Sequence, residues 1–228
     1  MAKLSGLLLL LVAIGSHDLS AQAKAQPQPA PRGFDSFIML VAPRDTVSIR
    51  RQLRSASDAV SQAESRRRQA ETMRLGARGS IEAKKVEIGR LKERSNLAKK
   101  EGREADRLGL EAERKAAERE KGLLERREGL RQAESELEAS RGELATLTQK
   151  ALQLELQLAV RRAGRARTPV GGAGGASLDR VIGELEKQTL EAQREQSAYS
   201  EVVADREIKV IDRRLELLDA QQKILGGD

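Results

Sequence analysis

From Ile49 to Arg161 apolar and small residues return at alternating steps of four and three, with no insertion to break the count. The seam opens with Ile49, Leu53, Ala56, Val60 and Ala63, and closes with Leu147, Ala151, Leu154, Leu158 and Arg161. Of its 33 positions, 23 are Ala, Val, Ile or Leu. A strict 3.5-residue repeat keeps one narrow stripe facing a partner helix, so the pattern predicts a left-handed coiled coil. It predicts a single helix over 46–162, which at 1.5 Å per residue would be about 175 Å long.

The stretch 163–177 contains Pro169 and the run Gly171-Gly172-Ala173-Gly174-Gly175, which predicts a Gly-rich basic loop in place of helix. A second four-three repeat, from Leu178 to Ile224, predicts a helix over 178–225 with Ser177 as N-cap and Asp179 at the positive end of the dipole. A short tail, 226–228, follows. The expected fold is therefore all-α: an elongated coiled coil with one very long helix and a shorter antiparallel return helix, a helical hairpin.

The two arms do not match in length. A return helix of roughly 72 Å covers only about residues 115–162 of its partner. An amphipathic helix is stabilised mainly by packing, so the seam over 46–114 needs a cover. The candidates are a second copy of the chain, another coiled-coil protein, or a fold of the long helix upon itself at Gly76 to Gly79. Gly102 and Gly109 sit on the same seam among Ala98, Ala105, Ala112 and Ala116. They read either as a tight crossing point for a partner or as a soft, poorly packed stretch.

The amino terminus has another character. Lys3 precedes an apolar run from Leu4 to Ile14, followed by small residues at Ala21, Ala23 and Ala25. This reads as a secretory signal peptide over 1–25, and a run of eleven residues falls short of the roughly 20 that span a bilayer. Residues 26–45 hold a Pro-rich linker and then a short apolar segment containing Phe34, Phe37, Ile38 and Leu40. That segment reads either as a turn folded back onto the first helical turns or as a docking element for a partner or membrane surface. Asp45 or Thr46 is placed to cap the helix that follows. The signal implies secretion, to the periplasm of a Gram-negative-type bacterium, with no transmembrane segment after cleavage.

Composition supports a rod. Charged residues make up 34% of the chain, and the only aromatics are two Phe and one Tyr. Residues 44–79 hold nine arginines against four acids, including Arg66-Arg67-Arg68, whereas residues 178–228 sum to −4. The arginine run reads as a solvated face or as an attraction to an anionic envelope component. Nucleic acid is not expected as a partner, because aromatics for base stacking are missing and the signal peptide removes the chain from most DNA and RNA.

Chemistry is sparse. There is no cysteine, and the single histidine, His17, falls within the expected signal peptide. Neither a Ser-His-Asp arrangement, a Cys-His pair nor a usual zinc site can be assembled, so no catalytic residue, metal or cofactor is expected and the chain reads as a non-enzyme. The signal peptide, basic character, apolar segment and long hairpin make the architecture similar to that of the Skp/OmpH periplasmic chaperones, although no motif transfers residue by residue. The expected function is a self-associating coiled-coil scaffold or adaptor in the cell envelope. The alternatives are a holdase of that chaperone type, or a coiled-coil regulator of cell-wall hydrolases or transport complexes.

Overall fold

The computed structural model describes residues 40–167 and 173–226, all within one of the two units into which the chain divides, Met39–Asp228. Every regular element in them is helical, giving three helices: α1 (Thr46–Lys100), α2 (Glu104–Arg165) and α3 (Ala173–Gly226). The class is all-α, as the periodicity predicts. Phe34, Phe37 and Ile38, together with the signal and linker segments, lie outside the described residues.

The expected single helix over 46–162 is two helices, and the fold-back comes at Gly102, not at Gly76 to Gly79. Gly102 adopts φ +71°, a left-handed conformation that costs an L-residue with a Cβ about 1–2 kcal/mol. Its N–H reaches the carbonyl of Lys99 at 3.3 Å, and that of Arg103 reaches Ala98 at 2.9 Å. This pair of bonds satisfies the last carbonyls of α1 in a Schellman motif. Charge agrees with the reversal: Lys99 and Lys100 end α1, whereas Glu104 and Asp106 open α2, each sign facing the dipole end it favours. Gly76 and Gly79 remain inside α1.

At its other end α1 is capped as expected. The Asp45 carboxylate accepts from Val47 N and Ser48 N at 3.2 and 3.1 Å. Of the apolar segment only Leu40 and Val41 fall among the described residues, and Val41 is buried against Leu158 of α2 and Ile182 of α3.

α2 lies between the other two helices. α1 runs antiparallel to it, with Ala63 against Gly142, Arg78 bound to Glu128 and Lys84 to Glu120 at 2.6 Å. α3 also runs antiparallel to it, tied by Lys150–Glu195 at 2.8 Å and Arg206–Glu136 at 2.6 Å. No Cα of α1 comes within 8 Å of one in α3.

The predicted loop 163–177 is shorter than expected. α2 continues to Arg165 and α3 starts at Ala173, so Ser177 lies inside a helix and does not cap it. An ion pair ties the two helix ends together: Arg165 donates to both oxygens of Asp179, at 2.7 and 3.1 Å. Its guanidinium passes 3.4 Å from where a Cβ on Gly175 would stand, so glycine there leaves room for the arginine to cross the helix. α3 ends at Gly226, one residue past the expected boundary.

Glycine substitutions separate the turn from the helix interior. G102A should lower stability by about 1 kcal/mol through the positive φ. G109A, where an added Cβ meets nothing within 4 Å, should raise it by up to about 1 kcal/mol. Thermal unfolding followed by circular dichroism checks both signs.

Candidate interaction groove

Burial follows the predicted seam closely in α1 and α3. In α1 every seam position from Ile49 to Ala98 is buried or half-buried except Arg67. In α3 only Arg213 and Ile224 of the fourteen predicted positions are exposed. α2 is different because it is buried along two lines. Leu130, Ala133 and Leu137 pack against Val203 and Val210 of α3. A second line, including Ala117, Ser135, Ala145 and Leu152, faces α1, with Leu152 against Ile49 and Ala56. This second line also repeats at four and three, but it carries Lys121, Glu128, Arg131 and Glu138 and so does not look like a seam in the sequence.

Between α1 and α3, above α2, lies a groove of about 600 Å³. Its α1 wall holds Gln52, Ser55, Ala59, Gln62 and Arg66, its floor Leu144, Thr148 and Ala151, and its α3 wall Gln193 and Gln196. One end is closed by Arg44 and Glu155, bonded at 2.9 Å. Glu155 is almost wholly buried, and its Oε1 has no partner. Near the same end Arg162 donates to the Val41 carbonyl at 2.8 Å and pairs with buried Glu186.

The arginine run divides between two surfaces. Arg66 lines the groove, whereas Arg67 and Arg68 belong to a separate exposed patch with Glu64 and Leu75. Leu40 is about half exposed. Gly102 forms the turn between α1 and α2, and Gly109 stands exposed on α2 with open space around it. The two glycines therefore do not share one face of a continuous helix. Ala105, Ala112 and Ala116 of the predicted seam are exposed too, because α3 ends beside Arg119, where Ile224 and Ala220 lie against Arg119 and Arg126.

The sequence reading missed the most apolar exposed surface. Ile208, Ile211, Leu215, Leu218 and Leu225 of α3 are 54–86% exposed. A signal for them was present, since Val210-Ile211, Leu217-Leu218 and Ile224-Leu225 are apolar doublets recurring every seven residues. The first member of each doublet follows the seam, and the second lies about 100° round the helix.

Charge fastens α3 to α2. Lys209 at 2.7 Å and Arg206 at 2.6 Å flank Glu136, and the hydrogen bond from Lys209 leads in holding its carboxyl below the usual range. Tyr199 donates to Glu143, which pushes the phenol up. Among the described residues no helix is long and apolar enough to cross a membrane, and no cluster of acids or histidines could hold a metal ion. Comparison with protein families, curated proteins and solved structures finds no match to this chain.

Two measurements follow from these contacts. R44A strands the buried Glu155 carboxylate and should cost about 2–3 kcal/mol, below the ~3–5 of a fully buried pair because Arg44 is itself 38% exposed. E155L in the R44A background should recover most of that loss in denaturant unfolding. Because the folded pKa of Glu136 is depressed, its contribution is present above the ordinary carboxylate range and disappears as pH falls through the folded value. It should amount to less than about 1 kcal/mol given solvent screening, and E136Q should flatten that part of the acid-stability profile.

Proposed function

We propose that the chain is a secreted, periplasmic, non-catalytic scaffold that works by helix-to-helix association. The observation that carries this reading is the run of aliphatic side chains on the outer side of α3, five of them at least half exposed to water. Contiguous exposed apolar surface of this kind marks contact with another macromolecule. Its heptad spacing suits a partner helix packed in coiled-coil fashion, and the seams along which α1, α2 and α3 meet are read the same way. Self-association does not depend on a bare seam over 46–114, since α2 covers α1 along that length.

The envelope assignment comes from the Leu4–Ile14 apolar run and the small residues after it. The holdase alternative draws on the basic outer face of α1, where Arg67 and Arg68 offer charge to an unfolded acidic client.

Fractionation and intact-mass measurement test the location. The scaffold reading expects the chain in the periplasmic fraction, shortened to begin after Ala23 or Ala25, and a full-length cytosolic product would refute it. An aggregation assay with an unfolded outer-membrane protein tests the activity. No protection is expected at several-fold molar excess, and clear protection would replace the scaffold by the holdase.

A further inference from the structure

The three helices occupy three corners of a square. Leu137 of α2 faces α3, whereas Gly142 and Leu152 face α1. These lie five and fifteen residues further on, rotations of about 140° and 60° at 100° per residue. α1 and α3 therefore leave α2 at roughly a right angle, and the groove between them is an open fourth corner.

The aliphatic stripe of α3 looks into that corner. Gln193 lines the groove, and Ile211 follows it by eighteen residues, which at the 3.5-residue period of the α3 seam brings it within about 50° of the same side of the helix. Ile208, Leu215 and Leu218 lie beside Ile211. On the α1 wall the same step leads from Ser55 to Met73, itself 42% exposed. The corner thus continues along the molecule with an aliphatic wall on α3 and a small, largely uncharged wall on α1.

We infer that this corner is filled by α3 of a second copy of the chain, about a two-fold axis running along the helices. The inference rests on the scaffold reading and names its contact surface. Three observations select this occupant. The stripe is self-complementary, since an axis along the helices sets Leu215 against Leu215 and Leu218 against Leu218. An axis across the helices would place α2 of the partner subunit where α1 already stands. Charge is complementary as well. Asp205 and Asp212, on the flank of α3 beyond the stripe, have no ion-pair partner among the described residues, and neither has Arg66 of the groove. Arg66 lies one turn past Ala63, which abuts Gly142, so it stands level with residues 205 and 206 of α3 and opposite Asp205 of the partner subunit.

Area supports the arrangement. From Gln193 to Leu225 the wall is about 50 Å long, so each helix pair meets over on the order of 500 Å². The two-fold arrangement makes three such pairs, one between the α3 helices and one from each α3 to the other copy's α1. The total exceeds the ~800 Å² per partner of a standard specific interface. The acidic flank opposes adsorption to an anionic bilayer, which favours basic amphipathic helices.

Light scattering and cross-linking on the full mature chain test the assignment. At about 10 µM the chain should show twice its monomer mass, a range that standard interfaces reach. I211E/L218E should associate at least tenfold more weakly with unchanged helicity and melting, since both side chains are exposed in the monomer. R66E should weaken pairing several-fold, and R66E/D205R should restore it. The chain has no cysteine, so L215C carries its only thiol and should form a disulfide-linked dimer on mild oxidation, whereas V86C on the far side of α1 should not. A wild-type monomer at about 100 µM, a double variant that still dimerises, or V86C cross-linking as readily as L215C would overturn the inference. A monomer that is periplasmic and unprotective would remove this surface assignment and leave the scaffold reading standing.

Discussion

The structure depends on one helix being buried along two lines. α2 presents Leu130, Ala133 and Leu137 to α3, and Ala117, Ala145 and Leu152 to α1. α1 and α3 make no backbone approach to each other, so neither has a hydrophobic partner without α2. A chain almost without aromatic residues cannot fill a volume, but it can bury strips, and two strips on a shared helix hold three helices together. The strips differ in kind. The one toward α3 is aliphatic with charged edges, whereas the one toward α1 relies on small residues and on pairs such as Arg78–Glu128 and Lys84–Glu120.

That difference explains what could be read from the sequence. The α3 seam, from Leu178 to Ile224, was legible almost residue by residue, because aliphatic side chains mark most of its positions. The α1 seam was legible too, although its partner was not. The partner surface on α2 includes Lys121, Glu128, Arg131, Ser135 and Glu138, which in isolation read as a solvated face. Close approach of small side chains and ion pairing at the edges substitute there for large apolar knobs.

The reversal at Gly102 was hidden for a different reason. The three-residue turn keeps the heptad count in phase, so Ala98, Gly102 and Ala105 continue the four-three steps straight through a change of direction. The local chemistry was the better guide, with two lysines, a glycine and an acidic restart marking one helix end and the next beginning. At the groove the sequence pointed to Arg66 but not to the outer stripe of α3, because each apolar doublet was credited to one seam only. A residue next to a seam position belongs to a second face about 100° away, and only the presence or absence of a third helix decides whether that face is buried.

The shared middle helix also limits how the molecule can change length. Ala63 is registered against Gly142, and Glu136 against Arg206 and Lys209, so both hairpins are locked to one ruler. An insertion in α2 shifts its register against both neighbours at once. Only additions of about two turns, made together in all three helices, preserve every layer. The free end of α2 beyond α3 is exempt, because only α1 covers it. Natural length variation should therefore concentrate near the Gly102 turn, where α1 and α2 can grow together as a pair while the α3 half stays fixed.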